Sequence, residues 1–140
     1  MTAQPSTTVI DTSSVVVDLI RWLETGSARE TLFAPDLFLD ISFPQWRLQS
    51  DTAEGAQAIR SEGHPCQGEV RVERVEQTGH GFTLEFEERW QQGGQDWYCR
   101  EMVRADVVGD AIVEMSVYCT GDWDEAKQRE HAATVHLIRS

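Results

Sequence analysis

Apolar residues recur along this chain at two different spacings, and the spacing changes partway through. Val16, Leu19, Ile20 and Leu23 share one helical face, with Asp18, Arg21 and Glu24 off it. The spacing predicts a helix over Thr12–Thr25, capped by Asp11, Thr12 or Ser13 and stopped at Gly26. The next segment, SARETLF, reads as one further turn that Pro35 ends. In DLFLDISFPQWRLQ the period becomes two. Leu37, Leu39, Ile41 and Phe43 alternate with Phe38, Asp40 and Ser42, which is a strand that ends or bulges at Pro44. Asp51–Ser61 reads as a second helix, ended by Gly63, and HPCQG as a loop.

Beyond Gly68 the pattern is strands. Glu69–Thr78 has Val70, Val72 and Val75 out of phase, as at a bulge. Phe82–Gln92, Gln95–Val108 and Ala111–Thr120 are joined by Gly93-Gly94 and Gly109-Asp110, both two-residue hairpin turns. Asp122 and Glu125 have the spacing of a capping pair for a last helix through Ala132. The expected fold class is α+β, with one domain over 1–140 and residues 1–10 as a disordered lead.

Two-residue turns pin register, so they state which residues face each other. The first turn sets Trp90 opposite Trp97, Glu88 opposite Cys99 and Phe86 opposite Glu101. The second, unless a bulge intervenes, sets Tyr118 opposite Glu101, Ser116 opposite Val103 and Thr120 opposite Cys99. One face then holds Glu88 and Glu101 among aromatics. The other holds Glu87 opposite Arg100 and an apolar patch of Met102, Met115 and Val117 that suits a homodimer contact.

A carboxylate on an apolar face must be paired, hydrogen-bonded or neutral. Burial raises its pKa toward values useful in acid/base chemistry. Glu101 with Tyr118 is therefore the leading catalytic candidate, with Asp40 and His131 as proton relays. The bland alternative weighs equally: the same acids line a wet cavity and do no chemistry. Glu88, Phe86, Trp90, Cys99, Trp46, Ser116 and Trp123 are the expected substrate-contacting set. Asp40 also reads as a solvated acid, His131 as a core histidine and the tryptophans as packing. On this register Cys99 and Cys119 point to opposite faces, which disfavours a disulfide.

Charge and cysteine usage narrow the classes. With 24 acidic and 12 basic residues the net charge is −12, and no basic stripe is present, which argues against nucleic acid. No apolar run approaches the ~18 residues of a membrane span. Three cysteines without a CxxC pair suggest reduced thiols in a cytoplasm, and the four histidines have no zinc-type spacing with them. The expectation is no metal and no cofactor.

The segments LFAPDLFLDISFPQWRLQ and LEFEERWQQGGQDWYCREMVRADVVGDAIVEMSVYCTGDWDEA, with the closing helix, resemble the nuclear-transport-factor-two-like superfamily, in its SnoaL-like branch. The resemblance spans about Val15 to Arg139. It implies a cone, a curved antiparallel sheet around N-terminal helices with an internal pocket. It also implies frequent dimers and members that include polyketide cyclases, ketosteroid isomerases, dehydratases and non-catalytic modules. Ketosteroid isomerases carry a base where Asp40 stands, and SnoaL-like cyclases an acid where Glu101 or Glu114 stands. Two functional expectations follow. One is a cofactor-free cyclase, isomerase or dehydratase acting on a small, hydrophobic, polyketide-like molecule in bacterial secondary metabolism. The other is a non-catalytic ligand-binding or dimerisation module.

Overall fold

The computed structural model describes residues 11–140, so the expected lead over 1–10 lies outside the described residues. Helix α1 (Ser13–Thr25) buries Val15, Val16, Leu19, Trp22 and Leu23 along one face. It stops where Gly26 turns left-handed (φ 76°) and donates its N–H to the Trp22 carbonyl at 2.7 Å. Helix α2 (Ala53–Gly63) starts at Thr52, whose side chain accepts the Gly55 N–H at 3.0 Å. Six strands are described, β1 (Phe33–Phe43) and β2 (Trp46–Ser50) between the two helices and β3 (Gly68–Gln77), β4 (Gly81–Gln92), β5 (Gln95–Val108) and β6 (Ala111–Cys119) after them. Helix α3 (Glu125–Thr134) closes the described chain.

The strands form one curved, unclosed sheet in the order β2-β1-β6-β5-β4-β3. Only β1 and β6 pair in parallel; every other neighbour is antiparallel. The inner face packs on α1 and α2 through Leu37, Leu39, Phe82, Leu84, Phe86, Val103, Ala105, Ile112 and Met115. Burying each of the larger side chains stabilises the fold by about 1.5–3 kcal/mol. At Gly81 the backbone of β4 approaches β5 so closely that a Cβ would stand 2.0 Å from the Ala105 carbonyl oxygen. That is why the turn before β4 ends in glycine.

Several sequence expectations are corrected by the structure. Pro35 does not end an element but lies inside β1, in the irregular stretch between Phe33 and Phe38 where pairing to β6 shifts. A proline is tolerated there because no regular ladder bond is asked of it. The SARETLF segment makes only a tight turn, with Leu32 N–H on the Arg29 carbonyl at 3.1 Å. Residues after Pro44 form a hairpin partner, β2, that the sequence pattern did not separate. The cap of α3 is Asp124, which accepts the Lys127 N–H at 2.8 Å; Asp122 is left for another role.

The largest correction concerns β6. The bulge of β3 lies where its valines fall out of phase, between Val72 and Arg74. A second bulge lies between β5 and β6. Val107 faces Ile112, but Asp106 faces Glu114, so Val113 is an extra residue. Beyond it the facing set reverses: Glu101 opposes Cys119, Val103 opposes Val117, and Tyr118 opposes Met102. The residue Tyr118 therefore points out and is 59% exposed, while Met115 and Val117 are core. The expected apolar dimer patch is thus dismantled; Met102 alone of the three is exposed. On the outer face Glu87 does oppose Arg100, but it pairs with Arg71 at 2.6 Å, and Arg100 pairs with Glu73 at 2.7 Å.

Candidate active site

Between the inner face of the sheet and helices α1 and α2 lies a cavity of about 180 Å³. Its walls are mostly apolar, with Trp22, Leu39, Phe43, Ile59, Val103 and Met115 among them; Arg60, His64, Glu101 and Asp122 also line it. Trp22 is held by its indole N–H on Gln57 Oε1 at 2.7 Å and by an edge contact to Phe33 at 4.9 Å.

The polar groups reach this space from four elements. Arg60 is on α2, one step after Ile59 and four after Ala56, so it shares the buried face of that helix. Its guanidinium grips Glu88 of β4 at 2.6 and 3.3 Å and also donates to the Leu23 carbonyl. Burial pushes the Glu88 carboxyl upward, but the charge and hydrogen bonds of Arg60 outweigh it, and Glu88 is held below the usual range. Next to it stands Glu101 of β5, only 8% exposed. Burial and the neighbouring negative charge of Glu88 push Glu101 well above the ordinary carboxyl range. Its carboxyl therefore holds a proton to higher pH than that of Glu88 does. Its Oε2 has no hydrogen-bond partner.

Two thiols complete the wall behind Glu101. The Cys99 thiol donates to Glu88 Oε2 at 3.7 Å, and Cys119 Sγ accepts the Gly121 N–H at 3.3 Å. Contrary to the register read from the sequence, both thiols face inward. The hydrogen bond between them raises Cys99 and lowers Cys119. The closest ligand atoms of Cys99, Glu101 and Cys119 lie within 4.8 Å of one another. As they stand, hydrogen bonds link Glu88 through Cys99 to Cys119.

His64 follows the last turn of α2, its N–H on the Arg60 carbonyl at 2.8 Å. Its ring stands edge-on to Trp90 at 4.4 Å, and its Nε2 is 3.7 Å from Asp122 Oδ1. Burial, then Arg60, lowers His64, so the ring is neutral near pH 7; burial raises Asp122.

The structure thus brings Glu88, Glu101 and Cys99 together on the inner face, with Phe86 and Trp90 as packing behind them. It does not bring in the other candidates. Tyr118 faces away, for the register reason above. Asp40 is on the outer face in a two-pronged ion pair with Arg47, whose hydrogen bond holds it below the usual range. Ser116 is also outside, beneath Arg104, which donates to it at 3.0 Å. Trp46 is 68% exposed on β2. His131 packs at a tilt on Trp123 at 5.2 Å, and Trp123 meets Tyr98 edge-on at 5.4 Å, because α3 packs on the outer face of β5. Sequence reasoning missed Arg60, His64, Asp122 and Cys119. Only Arg60 left a signal, a charged residue at helical spacing with Ala56 and Ile59.

A curved, unclosed sheet wrapped on helices around an internal cavity is the NTF2-like α+β cone. No family model matches this sequence, and no curated protein matches it. Solved structures do. An NTF2-like protein from Anabaena variabilis superposes with a TM-score of 0.68 at 19% identity, over 87% of this chain and 96% of that one. A protein with a ketosteroid isomerase-like fold from Catenulispora acidiphila, in complex with trimethylamine, gives 0.64 at 15%, over 78% and 87%. IdmH from Streptomyces antibioticus, a candidate polyketide cyclase, gives 0.58 at 16%, over 78% and 91%. These likenesses show the fold, in agreement with the resemblance read from the sequence, and leave activity to the site itself. Among the described residues no helix is long and apolar enough to cross a membrane.

Proposed function

We propose that this protein is a cofactor-free acid/base enzyme acting on a small, largely apolar molecule that carries one carbonyl or hydroxyl oxygen. Cyclisation, isomerisation and dehydration are the reactions of this class. The observation that carries the reading is Glu101, a buried carboxyl on the wall of an apolar cavity with its Oε2 unpartnered, where burial favours the protonated form. A buried polar atom without a partner costs about 1–3 kcal/mol, which a ligand oxygen at that point would offset. A neutral carboxyl also has a proton to give, and in a water-poor site its hydrogen bond to a developing enolate is stronger than in water. The fold shared with IdmH supports a polyketide-like substrate and a role in bacterial secondary metabolism.

The test uses cyclohexanone and 2-tetralone in D2O, with exchange of their α-hydrogens followed by proton NMR. The wild-type protein should bind both and accelerate exchange. Glu101→Gln should keep binding and lose about 100-fold or more of the acceleration, the size expected of a general acid. Equal exchange in wild type and variant would sink the reading.

A second reading is a binding module for a compact amine. The charge of Arg60 is already met by Glu88, which leaves Asp122 as an uncompensated anion beside the cavity. The Catenulispora protein of the same fold holds trimethylamine. Calorimetric titration with trimethylamine distinguishes the two. Binding that strengthens as Glu101 ionises, without ketone exchange, supports the module.

A further inference from the structure

We infer that Asp122 is the proton acceptor of this cavity and that His64 is the residue that positions it. The inference rests on the acid/base reading above and assigns the half of the reaction that Glu101 leaves open.

The placement follows from how the chain leaves the sheet. After β6, Gly121 takes a left-handed conformation (φ 84°) against the ring of Pro44, where a Cβ would stand 3.3 Å from the proline carbons. The turn brings Asp122 back to the cavity instead of letting it start α3. Opposite, α2 runs out at Gly63 and delivers His64 to the same place. The ring is fixed by Trp90 and by the closing backbone bond to Arg60, and its Nε2 faces Asp122 at 3.7 Å. Glu101 lines the same cavity from β5.

The two carboxyl groups meet unlike surroundings. Glu101 is enclosed, beside the Glu88 charge, and both favour its protonated form. Asp122 has a side chain 39% exposed, so water supports its ionised form while partial burial strengthens it as a base. A ketone held between them reacts by a balanced step. Asp122 takes a proton from the carbon next to the carbonyl. The C–H electron pair becomes the C=C bond, and the carbonyl oxygen receives the Glu101 proton, leaving a carboxylate there. Reversal with solvent deuterium gives exchange. The substrate class is a ketone, or a β-hydroxyketone that then eliminates water.

The experiment extends the exchange assay across pH. The charged and titratable groups facing Asp122 are His64 just after α2, Arg60 of α2 and Glu88 of β4; those facing Glu101 are Glu88, Arg60, Cys99 and Cys119. Wild-type exchange should be bell-shaped, rising as Asp122 ionises and falling as Glu101 loses its proton. Asp122→Asn, or Asp122→Ser should the first variant not fold, should lose about 100-fold of the rate while still binding 2-tetralone. His64→Gln should lower the rate roughly tenfold and move the rising limb to higher pH, because on the acid side of that limb a protonated His64 favours the ionised Asp122. A rising limb unmoved in His64→Gln overturns the positioning role. Wild-type exchange in both Asp122 variants, with exchange lost in Glu101→Gln, overturns the acceptor role and leaves the acid/base reading standing. Absence of exchange by the wild-type protein overturns both.

Discussion

Arg60 Nη2 lies 2.6 Å from Glu88 Oε1, and this buried contact ties helix α2 to strand β4 behind the cavity wall. Both side chains are nearly shielded from water, so each charge depends on the other. Arg60→Met should therefore destabilise the fold by about 3–5 kcal/mol, since it leaves Glu88 buried without a counter-charge. The double substitution Arg60→Met with Glu88→Leu should recover most of that loss. Urea unfolding of the four proteins in the cycle measures it, and a loss below about 1 kcal/mol in Arg60→Met would mean that the pair is far wetter than its geometry implies.

The stability of the protein should depend on pH through Glu101 in an unusual direction. Its folded pKa is raised, so its contribution is complete below the ordinary value of 4.5 and is lost as pH rises toward the folded value. The slope is at most ~1.4 kcal/mol per pH unit. Glu88, held below its ordinary value, contributes above that value and loses its contribution only as pH falls through the lowered one. Glu101→Gln removes the first effect alone. The stability of this variant relative to wild type should grow as pH rises above 4.5, and a constant difference would contradict a raised Glu101 pKa.

Register supplies a third test. Tyr118→Cys should react rapidly with a maleimide in the native state, and Val117→Cys should not, because the bulge at Val113 sends position 118 outward. Tyr118→Phe should leave ketone exchange within about twofold of wild type, in keeping with the small effects of surface changes. The reverse labelling pattern would restore the register that the Gly109-Asp110 turn alone suggests.

Gly81→Ala should cost roughly 2 kcal/mol or more, because the added carbon meets the carbonyl of Ala105, and backbone cannot swing aside as a side chain can. Thermal unfolding measures this directly.

How far the sequence reveals this molecule differs from strand to strand. The Gly93-Gly94 turn, with both residues at positive φ, carries its register without error to Glu88 opposite Cys99 and Phe86 opposite Glu101. Local chemistry fixes that hairpin, and local chemistry can be read. The neighbouring hairpin begins with a turn just as recognisable, but burial overrules it. Inserting Val113 puts Met115, Val117 and Cys119 inside and leaves Glu114, Ser116 and Tyr118 outside, which matches the polarity of β6 better than the turn does. Arg60, His64 and Asp122 come from segments far apart in the chain, and only the curvature of the sheet makes them neighbours. Asp122 was further disguised by lying within a convincing capping pattern, although Asp124 does the capping.

The extra residue in β6 has a consequence for how such a cavity changes its trade. Strand β6 carries two finished sets of side chains, one aliphatic and sulfur-bearing, the other acidic, hydroxylic and phenolic. Which set faces a ligand turns on one extra residue in the backbone, kept there because the aliphatic set is the one that burial favours. Deleting Val113 would exchange one lining for the other in a single step. In this strand, a one-residue insertion or deletion is therefore the coarse control on the cavity lining, and substitution is the fine adjustment.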